Sequence, residues 1–197
     1  MEDGALIDKI FFPYAMQKQE EVFRKKTRFV HYTSAEVAIN ILRKKEVWMR
    51  NASVMNDFLE IDHGLDCLNN AWHSSSGDRM KKVLDELVEG LSQNVASKFD
   101  AWVPHFRRDT YLTSISEHLE SEDEIGRLSM WRAYGGTTGV ALVLNNTAFV
   151  NPSDALKAYT SPVAYLDRTS FLKYFDEVVS GLEKYKNYIK SLPQETI

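Results

Sequence analysis

The sequence predicts an α+β fold with a small, mixed and mostly antiparallel sheet and flanking helices. Several long segments carry apolar side chains at helical spacing, whereas others are short and either apolar or alternating, which is typical of strands. The two kinds of segment do not follow a regular strand–helix–strand alternation, and this favours α+β over α/β. The 197 residues, 44% hydrophobic and 26% charged, have the composition and size of one globular domain.

The sequence of the N-terminal region predicts a helix, a strand and a second helix. The first helix covers residues 6–25 and is broken or kinked at Pro13, because proline lacks the N–H that a helix interior needs. A short strand follows at Arg28–Tyr32. Thr33 and Glu36 then form a T-x-x-E capping box, which predicts that the second helix begins here.

The middle of the chain is predicted to be mostly helical. A short strand at Val47–Arg50 precedes a helix that begins near Asp57. A loop at Ser74–Gly77 leads into a longer helix over residues 78–99, because its apolar residues fall on one stripe.

The C-terminal half combines short strands with two helices. The predicted strands are Thr110–Ser116, Gly139–Leu144 and Val163–Leu166. Gly139–Leu144 is nearly all apolar, which predicts a central strand buried on both faces. The Gly135-Gly136 pair is typical of a helix end, and a last helix is predicted over residues 170–191.

We expect a single domain over residues 1–197, with an N-terminal helical segment (1–27), a core (28–166) and a C-terminal helix (170–191). A cytoplasmic location and no membrane contact are predicted, because the N-terminus lacks a signal-peptide pattern and no apolar run reaches the length of a membrane span. The lone cysteine, Cys67, fits a reducing compartment. The net charge of −4 gives no overall support to a nucleic-acid partner, but it leaves room for a local basic patch.

The first candidate functional segment is His31-Tyr32-Thr33, at the end of a predicted strand. A histidine in this position can hold a ribose or phosphate by hydrogen bonding. The alternative is structural, with His31 hydrogen-bonded on an edge strand and Thr33 acting only as a helix N-cap.

A second candidate is Asn56-Asp57 with Glu60, which places two carboxylates on one helical face. Such a pair can take a metal ion or act in acid–base chemistry. The alternative, which local structure favours, is a capped helix start whose carboxylates complement the helix dipole. Glu60 and His63 also have the E-x-x-H spacing of di-iron sites, but a second such pair is missing, so a metal site is not expected.

Two hydroxyls and two aromatic rings complete the candidates. Ser114 and Ser116 are two apart on a predicted strand and therefore share a face, where they can bind a ribose or form a solvated polar surface. Trp131 and Tyr134 are three apart on a helix and can form an aromatic wall for a planar ring, although such pairs are more often core. The acidic run 117–124 is typical of a solvated loop or a helix start.

In their order along the chain, these motifs resemble the bacterial domain-of-unknown-function family twenty-nine seventy-one. The resemblance rests on five motifs that span about residues 28–166: His31-Tyr32-Thr33, Asn56-Asp57-x-x-Glu60, Ser114-x-Ser116, Met130-Trp131-x-x-Tyr134 and Gly139-Val140. Ile115 stands where the family usually has an aromatic residue. The resemblance implies one shared site and an association with bacterial defence; the implied site residues are His31, Asn56, Asp57, Glu60, Ser114, Ser116, Trp131 and Tyr134.

The start of this region has His31 on a strand, then a helix with the Ile41-Leu42 pair, then a short strand. In this it also resembles ADP-ribosyltransferase folds. That resemblance implies that His31 holds a ribose hydroxyl of NAD, and that Tyr134, Trp131 or Trp48 stacks on the nicotinamide. A glutamate on a later strand orients the attacked ribose in such folds. The predicted late strands carry no glutamate, so Glu60 or Glu117 has to take the catalytic role.

Three hypotheses follow from the sequence. The first is an NAD-using, ADP-ribosyltransferase-like enzyme of bacterial defence or toxin action, whose protein or nucleic-acid target is unknown. The second is a non-catalytic module in which the same residues bind a ligand or a protein partner. The third and weakest is a metal-dependent nuclease using Asp57 and Glu60.

Overall fold

The computed structural model describes residues 3–55, 58–150 and 159–192, and it confirms the α+β class. The chain folds into two compact units. The first, which we call the helical unit, comprises Met1–Gln17, Asn51–Thr110 and Pro162–Ile197. The second, which we call the sheet unit, comprises Lys18–Arg50 and Tyr111–Ser161.

The elements are numbered in chain order. The strands are β1 (Arg28–Ser34), β2 (Arg50–Asn51), β3 (Tyr111–Leu112), β4 (Ser116–His118) and β5 (Gly139–Leu144). The α-helices are α1 (Asp3–Phe11), α2 (Pro13–Lys25), α3 (Ala35–Lys44), α4 (Phe58–Trp72), α5 (Ser75–Leu87), α6 (Leu91–Arg108), α7 (Leu128–Met130), α8 (Thr147–Val150) and α9 (Arg168–Ser191). Short 3-10 turns lie at Ala52–Val54 and Glu120–Glu122, and a π-helical turn at Trp131–Gly135.

A core between amphipathic helices holds the helical unit together. Its buried apolar residues come from α1, α4, α5 and α9, and they are Ile10, Ala71, Met80, Val83, Leu84, Phe175, Val179, Leu182 and Ile189. The predicted last helix is confirmed as α9, and its buried residues recur three, four or seven positions apart, as they do on one face of an amphipathic helix. Cys67 is buried within α4.

Charged side chains support the packing of α5 on α9. The guanidinium of Arg79 donates to Asp176 at 2.7 Å and to Glu183 at 2.6 Å. On the same pair of helices, Lys186 forms an ion pair with Glu86. Each of these groups is partly exposed, so the pairs fix the alignment of the helices more than they add stability.

Two helix predictions in this unit are corrected. The helix predicted over 78–99 is two helices, since α5 ends at Leu87 and α6 begins after Gly90. Gly90 has φ +74°, a left-handed conformation that interrupts the helix and that glycine adopts without strain. The loop predicted at Ser74–Gly77 is instead the start of α5, because Ser74 Oγ accepts a hydrogen bond from the Gly77 N–H and caps the helix.

The sheet unit is built around β1, which pairs antiparallel with β4 on one side and with β5 on the other. The prediction that Gly139–Leu144 is the central strand is therefore wrong: it forms β5 at an edge, and its Gly139 and Val143 are exposed. The central strand is β1, where Val30 and Tyr32 are both buried. An apolar run indicates that the faces of a strand are partly buried, but it does not indicate whether the strand is central or at an edge of the sheet.

Several boundaries differ from the predictions. β1 extends to Ser34, and Ser34 rather than Thr33 caps α3 by accepting from the Val37 N–H. Of the predicted strand Val47–Arg50, only Arg50 is extended in a sheet, and Val163–Leu166 is not a strand. The predicted strand Thr110–Ser116 is interrupted: β3 and β4 are separated by an irregular stretch over residues 113–115.

The break predicted at Pro13 is confirmed, since α1 ends at Phe11 and Pro13 is the first residue of α2. Proline is tolerated at a helix start because that N–H has no partner within the helix. No helix in the described part of the chain is both long enough and apolar enough to cross a membrane.

Candidate functional site

The register of the sheet divides the predicted site residues of the sheet unit between two faces. Phe29 lies opposite Glu117 on β4, and His31 lies opposite Leu142 on β5. Side chains two residues apart on a strand share a face, as do residues directly opposite each other on neighbouring strands. His31, Thr33 and Glu117 therefore lie on one face, which we call the His31 face.

The ring of His31 is half-buried and has a specific partner. Its Nδ1 lies 3.2 Å from the carbonyl oxygen of Ser114, which precedes β4. A carbonyl oxygen only accepts, so Nδ1 carries the hydrogen of this contact, and in the neutral ring Nε2 is then an acceptor. The structure thus brings His31 and Ser114 together through the backbone of Ser114, not through its hydroxyl.

Glu117 contributes an exposed carboxylate to the His31 face. The sequence placed it in an acidic loop, whereas the structure places it in the middle of β4. It stands diagonally across the strand pair from His31, a relationship in which Cα atoms are about 7–8 Å apart. The face therefore combines a hydrogen-bond acceptor, a hydroxyl and an anionic group.

Tyr32 and Trp131 contact each other on the opposite face of β1. Their rings meet edge to face, with centroids 4.7 Å apart and planes at 88°. Tyr32 is buried, and its hydroxyl oxygen accepts from the Arg127 N–H at 2.8 Å. Trp131 Nε1 donates to the Ile125 carbonyl at 2.7 Å. Both side chains are thus engaged in internal packing and hydrogen bonding.

Tyr134, the other ring of the predicted aromatic wall, is 52% exposed. Trp131 and Tyr134 belong to a π-helical turn. A π-helix is wider than an α-helix, so two side chains three residues apart point in different relative directions in the two kinds of helix. Trp131 therefore packs against Tyr32 while Tyr134 remains accessible to solvent.

Three glycines make room for the Trp131 ring. A Cβ atom on Gly126 would lie 2.7 Å from Trp131 Nε1, and one on Gly139 would lie 3.0 Å from the same ring and 2.8 Å from the Cα of Gly135. Gly126 also has φ +66°, a conformation that favours glycine. The Gly135-Gly136 pair predicted as a helix stop does end the π-helical turn, and Gly135 in addition packs against the indole.

The best-connected polar cluster of the sheet unit was missed by the sequence reasoning. His118 is buried, and its Nε2 lies 2.8 Å from Oδ1 of Asp123, which also accepts from Arg28 Nη2 at 2.7 Å. Glu122 accepts from Arg127 Nε at 2.8 Å. The acidic run 117–124, read as a solvated loop, therefore folds back against two basic residues.

Hydrogen bonds lower the pKa of both carboxyl groups in this cluster. The bond from His118 and then the bond from Arg28 lower the pKa of Asp123. The bond from Arg127 lowers the pKa of Glu122. The one signal in the sequence was the density of acidic residues around His118, followed by Arg127, and it did not identify their partners.

The remaining predicted site residues belong to other elements of the chain. Ser116 is on β4 and lies opposite Val30 of β1, whereas Ser114 precedes β4. The two hydroxyls therefore do not share a strand face, contrary to the prediction. Glu60 is exposed in the first turn of α4, within the helical unit. Asn56 and Asp57 lie outside the described residues.

The Glu60–His63 spacing does not mark a metal site among the residues described. His63 Nε2 lies 2.8 Å from the Leu166 carbonyl oxygen, so the ring is used within the helical unit. In the described ranges, no group of three or more His, Cys, Asp or Glu side chains could hold a metal ion.

Comparison with known families bears on the end of the chain. The model of DUF2971, a family described as proteins of unknown function, matches residues 130–196. This match confirms the predicted resemblance to the family over residues 130–196, about a third of the chain. The DUF2971 match begins with Met130-Trp131-x-x-Tyr134, continues through Gly139-Val140 and reaches past α9. No curated protein and no solved structure gives a significant match.

Proposed function

We propose that the protein binds NAD on the His31 face and acts as an ADP-ribosyltransferase-like enzyme. The observation that carries this proposal is the strand register that puts His31 and Glu117 on one face of the sheet. The sequence had left the enzyme hypothesis without a glutamate on a strand near the histidine. Glu117 on β4 supplies one.

The two side chains suit different parts of the ligand. With Nδ1 directed at the Ser114 carbonyl, Nε2 of His31 can accept a hydrogen bond from a ribose hydroxyl. The exposed carboxylate of Glu117 can stabilise the positive charge that develops on a ribose as its bond to nicotinamide breaks. NAD would supply the ADP-ribosyl group, and the acceptor would be a protein or a nucleic acid.

Tyr134 is the preferred candidate for stacking on the nicotinamide. Trp131 packs against Tyr32, whereas the ring of Tyr134 is exposed. Glu60, the other predicted catalytic carboxylate, belongs to the helical unit. The proposal therefore rests on Glu117, and it extends to a cytoplasmic role in bacterial defence or toxin action, as the family resemblance implies.

A second candidate is a non-catalytic module that binds a ligand or a protein. It is favoured by the internal roles of Tyr32 and Trp131, two residues that were predicted to form the ligand site. In this case the remaining residues of the His31 face would contact a partner without chemistry.

The first experiment is thermal unfolding of the protein with and without millimolar NAD. Ligand that binds only the native state raises Tm, and we expect this rise to be lost in His31→Ala. His105→Ala is the matched control, because His105 is an exposed histidine in the helical unit. An unchanged Tm in NAD, or an equal rise in His31→Ala, would contradict NAD binding through His31.

Catalysis is tested separately by release of nicotinamide from NAD. We expect Glu117→Gln to abolish release while it retains the NAD-dependent rise in Tm. Glu124→Gln, an exposed substitution in the same acidic run, is expected to leave release unchanged. Full activity in the Glu60→Gln, Glu117→Gln double variant would exclude both carboxylates as catalytic groups. NAD binding with no release by the unmodified protein would favour the binding module.

A further inference from the structure

A second candidate site lies at the opposite end of β1 from Thr33. There a cavity of about 400 Å³ is lined by Phe23, Lys26, Arg28, Asn145 and Asn146. All five residues belong to the sheet unit. The volume is within the range of small-molecule sites, which is roughly 300–1,000 Å³. None of these residues was a candidate in the sequence, and none belongs to the His31 face.

Two of the five lining residues, Lys26 and Arg28, are basic, and Arg28 forms an ion pair with Asp123. Lys26 follows the end of α2, and its side chain is exposed. Arg28 donates one Nη2 contact to Asp123, but a guanidinium has five N–H donors, so others remain for a ligand. Lys25 pairs with Glu21 at 3.7 Å, whereas Arg24 adds a further basic side chain two residues before Lys26, so the cations of this segment favour an anion.

The uncharged lining residues supply the aromatic ring of Phe23 and the side-chain amides of Asn145 and Asn146. Phe23 is 69% exposed and offers an apolar face at the cavity. Asn146 Nδ2 donates to the Val22 carbonyl at 3.1 Å, which fixes that side chain against the end of α2. Asn145 Oδ1 accepts from the Thr147 N–H at 3.1 Å. This contact orients the amide and leaves its NH₂ group as a donor.

We propose that this cavity binds a small ligand that joins a planar ring to a phosphate, of the nucleoside monophosphate class. The ring would stack on Phe23, as bases stack on aromatic side chains in many nucleotide sites. The phosphate would contact Lys26 and Arg28 through charge-assisted hydrogen bonds. The NH₂ group of Asn145 would donate to a base or phosphate oxygen.

The test is a calorimetric titration of the full chain with adenosine monophosphate. Lys26→Gln is expected to weaken binding by about tenfold or more, because it removes a charged hydrogen bond to phosphate. Lys45→Gln is the matched control. Lys45 also follows a helix and also has positive φ, 56° against 50° for Lys26, so the two substitutions make the same backbone and charge change.

Two further ligands and two variants complete the design. Adenosine and inorganic phosphate are each expected to bind more weakly than the monophosphate, because each uses only part of the site. Phe23→Ser is expected to weaken binding of the monophosphate but to leave binding of phosphate unchanged. His31→Ala is expected to retain the part of the monophosphate binding that Lys26→Gln removes, so this inference and NAD binding on the His31 face fail or succeed separately.

Three results would overturn the proposal. The first is no saturable binding of adenosine monophosphate at millimolar concentration. The second is an equal loss of adenosine monophosphate binding in Lys26→Gln and Lys45→Gln, which would mean that surface cations attract the nucleotide nonspecifically. The third is loss of adenosine monophosphate binding in His31→Ala while Lys26→Gln still binds it, which would assign the nucleotide to the His31 face.

Discussion

Asp123 Oδ1 lies 2.8 Å from Nε2 of His118, and this contact joins an accessible carboxylate to a buried imidazole. Arg28 donates to the same oxygen, so the carboxylate links the first residue of β1 to the last residue of β4. The Nδ1 atom of His118 lies 3.8 Å from Glu122 and has no hydrogen-bond partner among the described residues.

Asp123→Asn is expected to lower stability at neutral pH. The folded-state pKa of Asp123 is lowered, first by the His118 bond and then by Arg28. The ionised Asp123 therefore adds to the free energy of unfolding above the unfolded-state pKa, about 3.9. This addition disappears as the pH falls through the lower folded-state pKa. Urea unfolding should show a difference between the two proteins at pH 7 that vanishes in strong acid. Glu124→Gln, which removes one exposed carboxylate of the same run, is the matched control.

Tyr32→Phe is expected to destabilise the protein by about 1–3 kcal/mol, because the Arg127 N–H then loses its acceptor in a partly buried position. The ring and its contact with Trp131 are retained, so the change isolates the hydroxyl. Tyr134→Phe removes the same atom from an exposed ring and should be close to neutral. Equal urea midpoints for the two variants would contradict the role assigned to the Tyr32 hydroxyl.

Gly139→Ala is expected to cost about 1–3 kcal/mol, since the added methyl would lie 2.8 Å from the Cα of Gly135 and 3.0 Å from the Trp131 ring. Gly64→Ala is the opposite case. Gly64 lies within α4, and a Cβ there meets nothing within 4 Å. Alanine should stabilise that helix by about 0.5–1 kcal/mol. Changes of the same sign in both variants, measured by urea unfolding, would be inconsistent with this packing.

Leu182→Ala is expected to lower the free energy of unfolding by about 2–5 kcal/mol, because it leaves a cavity in the core of the helical unit. Leu172 is on the same helix and is 36% exposed. Leu172→Ala changes the same number of atoms and should cost much less. Similar losses in the two variants would mean that α9 is not packed as described.

Much of the fold could be predicted because local signals agree with the final structure. Pro13 interrupts the first helix, and the apolar stripe of α9 identifies the last one. The apolar stripe over 78–99 was misleading because the hydrophobic spacing continues through a break that depends on the conformation of Gly90. Likewise, the apolar run of β5 could not distinguish an edge strand from a central one.

The candidate site could be predicted only in part. The sequence identified His31 and Glu117, but their shared face depends on which residue of β4 lies opposite Phe29. That register joins segments far apart in the chain, and no local pattern determines it. The contact of Arg28 with Asp123 in the cluster around His118 was missed for the same reason, because Arg28 belongs to a strand far away in the sequence.

The order of the strands in the sheet has a consequence for synthesis of the protein. β1 emerges from the ribosome first, yet both of its hydrogen-bonding neighbours, β4 and β5, come from much later in the chain. At about 5–20 residues per second, its edges stay unpaired for on the order of ten seconds. A strand with two open edges is a template for pairing with other chains. A nascent or truncated chain that ends before residue 116 therefore carries this aggregation hazard, and the complete sheet pairs both edges of β1.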